Sequence, residues 1–329
     1  AAMRLIAHNE ERFPKKIRAG KSGKQKVRFQ YFEDCYKENA FLAEDIRQTV
    51  QNGVPLSEIA VLFRTNMQPR ALMEYMVSAN LAFQTKDRIP DIYEHWIARD
   101  FFTYIRIAQG SDSRADFLSI MNRPKRYIGR DSLPDETVCF DEWMKLYEEQ
   151  PWIAERIEKL WYDLKHLSRL SPYAAINYIR RGIGYDDYLA EYAEYRNANK
   201  EDFYEVADEI LASAKGYRTF EEWFAHIEEY RQELKRLAQE KRRNQNAVTF
   251  ATLHSAKGLE FTKVYLIDVN EGVMPYKKAV LKQDVEEERR LFYVGMTRAK
   301  ESLTICSVKK MRGKEVELSR FIKEAGKKP

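Results

Sequence analysis

The sequence predicts an α/β protein in which a parallel sheet, with helices on both faces, is interrupted by an all-helical insertion. Three observations predict it. Short β-rich runs at 59–63, 248–252 and 263–269 lie on either side of the middle of the chain, and the first is continuously apolar, as a strand covered on both faces must be. From 111 to 243 the apolar side chains recur instead at helical spacing, broken by Pro151, Ser171-Pro172, Gly182 and Gly216. Charge divides in the same way, with +7 on residues 1–30, −11 on 31–240 and +9 on 241–329.

Taken in order, residues 3–11 start or end a helix, and 14–26 form a basic, glycine-containing connector. Residues 27–32 read as a strand, and 39–50 as an amphipathic helix with Phe41, Leu42, Ile46 and Val50 on one side, stopped by Asn52-Gly53. The run 59–63 is a buried strand, and Arg64-Thr65-Asn66 follow at its carboxyl end, where open α/β sheets place ligands. A helix over 68–78 and a strand over 82–85 complete a strand–helix–strand unit. Helical spacing over 92–108 ends at Gly110-Ser111-Asp112-Ser113, which is read as a domain boundary. Further helices are expected over 154–167, 174–181, 188–195, 203–214 and 220–237, with their aromatic side chains read as core. Residues 235–243 read as a solvated helix end. Strands over 248–252, 263–269 and 302–308 and helices over 284–297 and 318–323 close the chain. The expected domains are therefore 1–110, 111–243 and 244–329, the first and last forming one fold.

A chain of 329 residues holds about two domains. Its composition, 44% hydrophobic and 33% charged, is that of a globular protein and excludes disorder. No apolar run approaches the roughly 20 residues of a membrane span, and no signal peptide is legible, so a cytoplasmic location and no membrane partner are expected. Cys35, Cys139 and Cys306 are too widely spaced for a disulfide framework or a close-set zinc motif, and no second histidine stands at metal-ligand spacing from His254. They are read as reduced thiols, with no metal held by this chain. Ala1-Ala2 before Met3 reads as a cloning scar, so a piece of a longer protein is expected.

Chemistry concentrates after the strand at 248–252. His254, Ser255 and Lys257 crowd a turn that Gly258 closes at no steric cost, and an ordinary solvated turn is the plain alternative. The full string Thr-Leu-His-Ser-Ala-Lys-Gly-Leu-Glu-Phe at 252–261 is similar to motif V of the UvrD/Rep/PcrA-type superfamily 1 DNA helicases. Glu-Arg-Arg-Leu-Phe-Tyr-Val-Gly-Met-Thr-Arg-Ala at 288–299 resembles motif VI, and Ile-Ala-Val-Leu-Phe-Arg-Thr-Asn at 59–66 resembles motif IV. The resemblance covers most of 27–110 and 244–325. It implies the second RecA-like domain of such a helicase, P-loop NTPase-like but without the P-loop, carrying an inserted helical subdomain. On that arrangement the two basic ends share one domain, which favours a polyanion; solvated lysines are the alternative reading of the same charges.

ATP hydrolysis requires a phosphate cradle, Mg²⁺ ligands and cations that meet charge developing on the γ-phosphate. This sequence contains no G-x-x-x-x-G-K-[ST] motif, and the resemblance puts that cradle and the Mg²⁺ ligands in an N-terminal RecA-like half. What the resemblance implies here is Arg298 and Arg64 as arginine fingers, Glu260 on the ribose, Phe63 stacked on adenine, and Gly258 and Arg290 also at the nucleotide. Surface ion pairs for the arginines and a core ring for Phe63 are the alternatives. Arg290 has Glu286 and Glu287 within helical reach. The resemblance further implies that Thr252, His254, Ser255 and Lys257 face single-stranded DNA, contacts that position a strand without reading its sequence. Residues 122–130 resemble the stretch with which the family's helical subdomain grips duplex phosphates, with Lys125, Arg126 and Arg130 as the contacts. Tyr127-Ile128-Gly129 stands there where Gly-Ile-Gly would give a clearer turn, which leaves its geometry open.

The expected function is the C-terminal part of an ATP-dependent DNA helicase translocating 3′ to 5′ on single strands and opening single/double-strand junctions, in repair or replication. The N-terminal half is its partner, and this part alone is expected to be inactive. A DNA-binding scaffold without an ATPase half and a component of a helicase–nuclease complex are the rival readings.

Overall fold

The computed structural model describes residues 1–10, 27–239 and 246–326, so the expected connector at 14–26 lies outside the described residues. In chain order the elements are α1 (Ala2–Ile6), β1 (Val27–Asp34), α2 (Cys35–Gln51), β2 (Ile59–Phe63), α3 (Arg70–Ser78), β3 (Phe83–Thr85) and α4 (Trp96–Ala108). Then come α5 (Arg114–Ile120), α6 (Phe140–Lys145), α7 (Pro151–Leu167), α8 (Pro172–Asn177), α9 (Tyr185–Tyr195), α10 (Lys200–Ser213) and α11 (Phe220–Gln239). The chain closes with β4 (Val248–Thr252), β5 (Phe261–Leu266), α12 (Lys282–Met296), β6 (Ala299–Met311), β7 (Lys314–Glu315) and α13 (Arg320–Glu324).

The strands form one sheet in the order β1-β6-β5-β2-β4-β3, all parallel, with β7 added antiparallel to β6. Every residue of β2 and β4 is buried, the consequence of helices on both faces. Alternate side chains separate the faces. Ala60, Leu62, Val264, Leu266, Leu303 and Ile305 join Leu5, Phe292 and Phe321 of α1, α12 and α13 in one apolar core. α12 lies unusually close: a Cβ added at Gly295 would stand 2.3 Å from Leu253 Cδ2, so the glycine sets the approach of this helix to the end of β4.

The opposite face, beneath α2, holds a buried polar network. Asp45 on α2 accepts hydrogen bonds from Arg28 at 2.8 Å and from Lys263 and the Tyr265 hydroxyl at 2.6 Å each. Burial alone would raise the Asp45 pKa, but the bonds from Lys263, Tyr265 and Arg28 bring it below the usual carboxylate range. Lys263 also donates to Thr49 Oγ1 at 2.6 Å, which leaves its buried ammonium well satisfied.

The described chain packs as two compact units, 1–90 with 232–329, and 91–231. The first division thus falls near residue 90, where 110 was expected. The reason is packing: α4 supplies Phe101, Tyr104 and Ile105 to the helical unit's core, and its Asp100 accepts from the Tyr185 hydroxyl at 2.6 Å. Gly110, at φ +109°, merely turns the chain toward α5. The second division falls within α11. Of the helices whose aromatic side chains were expected in the core, α11 buries Phe220, Trp223 and Tyr230, whereas Tyr162 of α7 and Tyr195 of α9 are exposed at 57% and 84%. β5 ends earlier than expected because Asp268 turns out of the strand at φ +52°, and β6 runs longer because β7 pairs with its end.

Asp45→Ala removes the counter-charge of a buried lysine and is expected to cost about 3 kcal/mol or more, read from urea unfolding. The folded pKa of Asp45 is depressed, so its contribution is present above the ordinary carboxylate pKa and lost as pH falls through the folded value. The gap between wild type and mutant should therefore narrow as the pH is lowered through the acid range.

Candidate nucleotide and nucleic-acid site

Arg64 follows β2 directly, and its turn is held by one side chain: Gln68 Oε1 accepts from the backbone N–H groups of Arg64 and Thr65, each at 2.8 Å. The guanidinium is aimed by Glu288 of α12. Arg64 Nε donates to both Glu288 oxygens at 3.0 Å, and Nη2 to Oε1 at 2.8 Å. Glu288 also accepts from the Tyr276 backbone N–H at 3.1 Å, and the Tyr276 ring centroid lies 5.2 Å from the guanidinium carbon. Arg64 is therefore fixed in direction, with its charge compensated by a largely buried carboxylate.

Arg298, just beyond α12, is held differently. Its Nε donates to Val294 O at 3.0 Å, Nη2 to Thr297 Oγ1 at 3.0 Å, and Nη1 to Leu259 O at 2.9 Å. All three acceptors are neutral, so the guanidinium is oriented while keeping its charge for an anion. The Leu259 bond ties α12 to the turn after β4, and Phe261 N–H donates back to Arg298 O at 2.9 Å.

That turn is helical in its backbone bonding, with Ala256 N–H on Thr252 O at 3.0 Å and Leu259 N–H on Ala256 O at 3.1 Å. Ala256 is buried beneath it, while His254, Ser255, Lys257, Gly258 and Glu260 are exposed. Gly258 sits at φ +83°, where an L side chain would be strained. Thr252 is nearly buried and caps the turn, its Oγ1 accepting from Ser255 N–H at 3.2 Å. Asp87, which sequence reasoning missed, accepts from Thr252 N–H at 2.7 Å and from the Ser255 hydroxyl. The Ser255 hydroxyl is thus engaged by a carboxylate, which leaves His254, Lys257 and Glu260 as the turn's outward polar side chains.

Several expected site residues stand elsewhere. Phe63 is 1% exposed, its ring 6.4 Å from that of Phe250, so it is a core ring here and not a stacking surface; β2 is covered on both faces. Arg290 pairs with Glu286 at 3.5 Å and with Glu287, the ion pairs its helical spacing allows. In the helical unit Arg126 is 7% exposed and donates to the Ile120, Met121 and Pro124 carbonyls and to the Tyr104 hydroxyl. It organises its turn from within, whereas Lys125 and Arg130 are exposed. Tyr127 adopts φ +59°, so the Tyr-Ile-Gly turn keeps a glycine-like bend at a cost of about 1 kcal/mol.

Behind Arg64 lies a second pair that the sequence did not announce. Gln68 Nε2 is 3.5 Å from Asp268 Oδ2, and Asp268 N–H donates to Glu38 at 3.3 Å. The Cys35 thiol stands 3.7 Å from Asp268. Burial, and then the adjacent Asp268 charge, hold the Glu38 carboxyl well above the usual carboxylate range. These residues are far apart in sequence, so no local motif could have marked them.

A parallel sheet with an aimed arginine at one strand end, a second at the foot of α12 and a basic turn between them defines a class of α/β domain suited to phosphate-bearing ligands. The profile described as UvrD-like helicase C-terminal domain matches residues 1–310, and the chain belongs to that family. It is 30% identical to the ATP-dependent DNA helicase PcrA of Staphylococcus epidermidis, over 98% of this chain and 47% of PcrA. It is 27% identical to the ATP-dependent DNA helicase Rep of Salmonella typhimurium, over 98% of this chain and 52% of Rep. Against YjcD of Bacillus subtilis the identity is 26%, over 97% of this chain and 43% of YjcD. The chain thus spans about half the length of the curated relatives it matches. Among the described residues no helix is long and apolar enough to cross a membrane.

A raised folded pKa at Glu38 means that stability is lost as pH rises through it. Glu38→Gln removes that loss, so its stability relative to wild type should increase with pH above the ordinary glutamate range. Urea midpoints at mildly acidic and mildly alkaline pH measure it, and a gap that does not change with pH would show that Glu38 titrates normally.

Proposed function

We propose that this chain is the C-terminal half of an ATP-dependent DNA helicase of the cytoplasm, acting in repair or replication, that moves 3′ to 5′ along single-stranded DNA and opens single/double-strand junctions. An N-terminal RecA-like half supplies the phosphate cradle and the Mg²⁺ ligands. Glu288, the carboxylate beside Arg64, is engaged by Arg64 and the Tyr276 N–H and does not fit the role of a Mg²⁺ ligand. The observation that carries the reading is the bond from Arg298 to Leu259 O, because it joins a guanidinium with uncompensated charge to the turn that bears His254 and Lys257.

On this reading Arg298 meets the γ-phosphate and stabilises charge in the transition state. Arg64 stands at the carboxyl end of β2, toward the opposite edge of the parallel sheet from Arg298, and an anion bound there competes with Glu288 for its fork. Glu260, on the exposed turn, meets the ribose. DNA phosphates contact His254 and Lys257, with Thr252 and Ser255 shaping the turn from within. Nucleotide-dependent movement of Arg298 pulls on Leu259 O and so shifts the turn along the strand.

The chain alone should bind single-stranded DNA weakly, without sequence preference and less tightly as salt rises. It should not hydrolyse ATP, and DNA-stimulated turnover by this chain would overturn the half-motor reading. In the full-length protein Arg298→Ala should lower ATP turnover roughly 10³-fold or more at saturating single-stranded DNA, with little change in melting temperature. Arg298→Lys should restore little, since an ammonium lacks the planar fork. Normal turnover in a folded Arg298→Ala protein would remove this residue from the site.

A further inference from the structure

Several aromatic side chains of the helical unit are exposed, and among them Tyr127 and Trp152, 57% and 48% exposed, are in ring contact. Their rings meet nearly edge-on, with centroids 6.5 Å apart. The Arg156 guanidinium lies 5.2 Å from the Tyr127 centroid and 4.9 Å from that of Trp152. The Lys125 ammonium sits 4.7 Å from the Tyr127 centroid. Arg156 is held in place by a 3.0 Å bond from Nη1 to Arg126 O. Arg130 is exposed on the same turn.

Two features set this surface apart. Tyr127 holds the left-handed backbone that glycine occupies freely, and its ring gains little burial to offset that strain. Residues 122–130 contain Arg123, Lys125, Arg126 and Arg130 and no acidic residue, within a stretch of chain that is acidic as a whole. Arg123 is taken up by Asp100 and Arg126 by buried acceptors, which leaves Lys125 and Arg156 against the rings and Arg130 exposed on the same turn. The nearby aliphatic side chains, Ile128 and Ile153, are buried, so the surface consists of aromatic rings framed by cations.

We propose that Tyr127 and Trp152 form a stacking platform for an unpaired nucleobase, with Lys125, Arg130 and Arg156 meeting the adjoining phosphates. The proposal rests on the DNA-binding reading above and narrows it: this surface takes DNA where bases are unstacked, beside a single/double-strand junction. Every base has a π face, so the platform tolerates any sequence. The Lys125 ammonium lies on the Tyr127 ring as an exchangeable occupant; a base takes its place, and the ammonium turns to the flanking phosphate.

The test is fluorescence-anisotropy binding of a tailed duplex by this chain, compared with the same duplex carrying abasic sites next to the junction. Tyr127→Asn keeps a residue that tolerates the left-handed backbone but removes the ring, and Tyr127→Phe keeps the ring. The Asn variant and Trp152→Ala should each weaken binding to the intact duplex by about fivefold or more, and Tyr127→Phe should bind like wild type. On the abasic duplex all four proteins should bind alike. Equal losses on both duplexes would reassign the surface to phosphate contact alone and overturn the proposal. Unchanged DNA binding, with self-association of the chain lost in sedimentation, would assign it to a protein contact and overturn it as well. Failure of the wild-type chain to bind either duplex would instead sink the DNA-binding reading beneath it.

Discussion

The close seat of α12 against the sheet is the constraint on which the rest of the α/β unit's chemistry depends. Gly295 lets the helix approach Leu253 and Leu266 to a distance no larger residue permits without displacing them. From that seat the helix fixes both arginines, Arg64 through Glu288 and Arg298 through the Val294 carbonyl. Six residues of α-helix separate the two anchors, about 9 Å of rise. Arg64 follows the carboxyl end of β2 and Arg298 precedes the amino end of β6, so one helix anchors two cations toward opposite edges of the parallel sheet.

The two arginines are not equivalent. Arg64 is charge-paired and restrained by a carboxylate, and an incoming phosphate must displace or share that partner. Among the described residues Arg298 is restrained by neutral oxygens, so its positive charge is oriented without a carboxylate partner. An oriented but uncompensated charge in a partly dry place is the more effective electrostatic stabiliser, because no partner must be broken when charge develops. Asp87 plays a comparable restraining part at the turn after β4, where it consumes the Thr252 amide and the Ser255 hydroxyl. The polar residues of that stretch thus divide into those that build the turn and those that face outward.

The sheet was legible to the extent that burial is continuous along the chain. β2 and β4 fall at 59–63 and 248–252 as expected, because strands covered on both faces are β-rich along their whole length, with threonine their one polar residue type. Strand ends that depend on backbone exceptions were not legible: Asp268 at φ +52° cuts β5 short, and nothing in its neighbours announces it. At the site, exposure of His254, Ser255 and Lys257 could be read from a polar turn closed by glycine. Whether an arginine or an aromatic ring faces solvent could not, since Phe63 and Arg126 are buried by residues distant in sequence or by the folding back of their own turn. The same limit hid Glu288, Gln68 and Asp87, whose roles exist only through partners that folding brings to them.

The buried polar seam beneath α2 bears on how firmly Arg64 is held. Asp45 and Lys263 satisfy each other, with Arg28, Tyr265 and Thr49 completing their hydrogen bonds, so that part of the seam is rigid. At Glu38 burial, and then the adjacent Asp268 charge, favour the protonated form. Asp268 touches Gln68, and Gln68 holds the amides that set the Arg64 turn. A proton on the acid pair leaves Asp268 as an acceptor for Gln68, whereas loss of that proton adds repulsion within the pair. Gln68 thus links the turn that carries Arg64 to a buried acid pair.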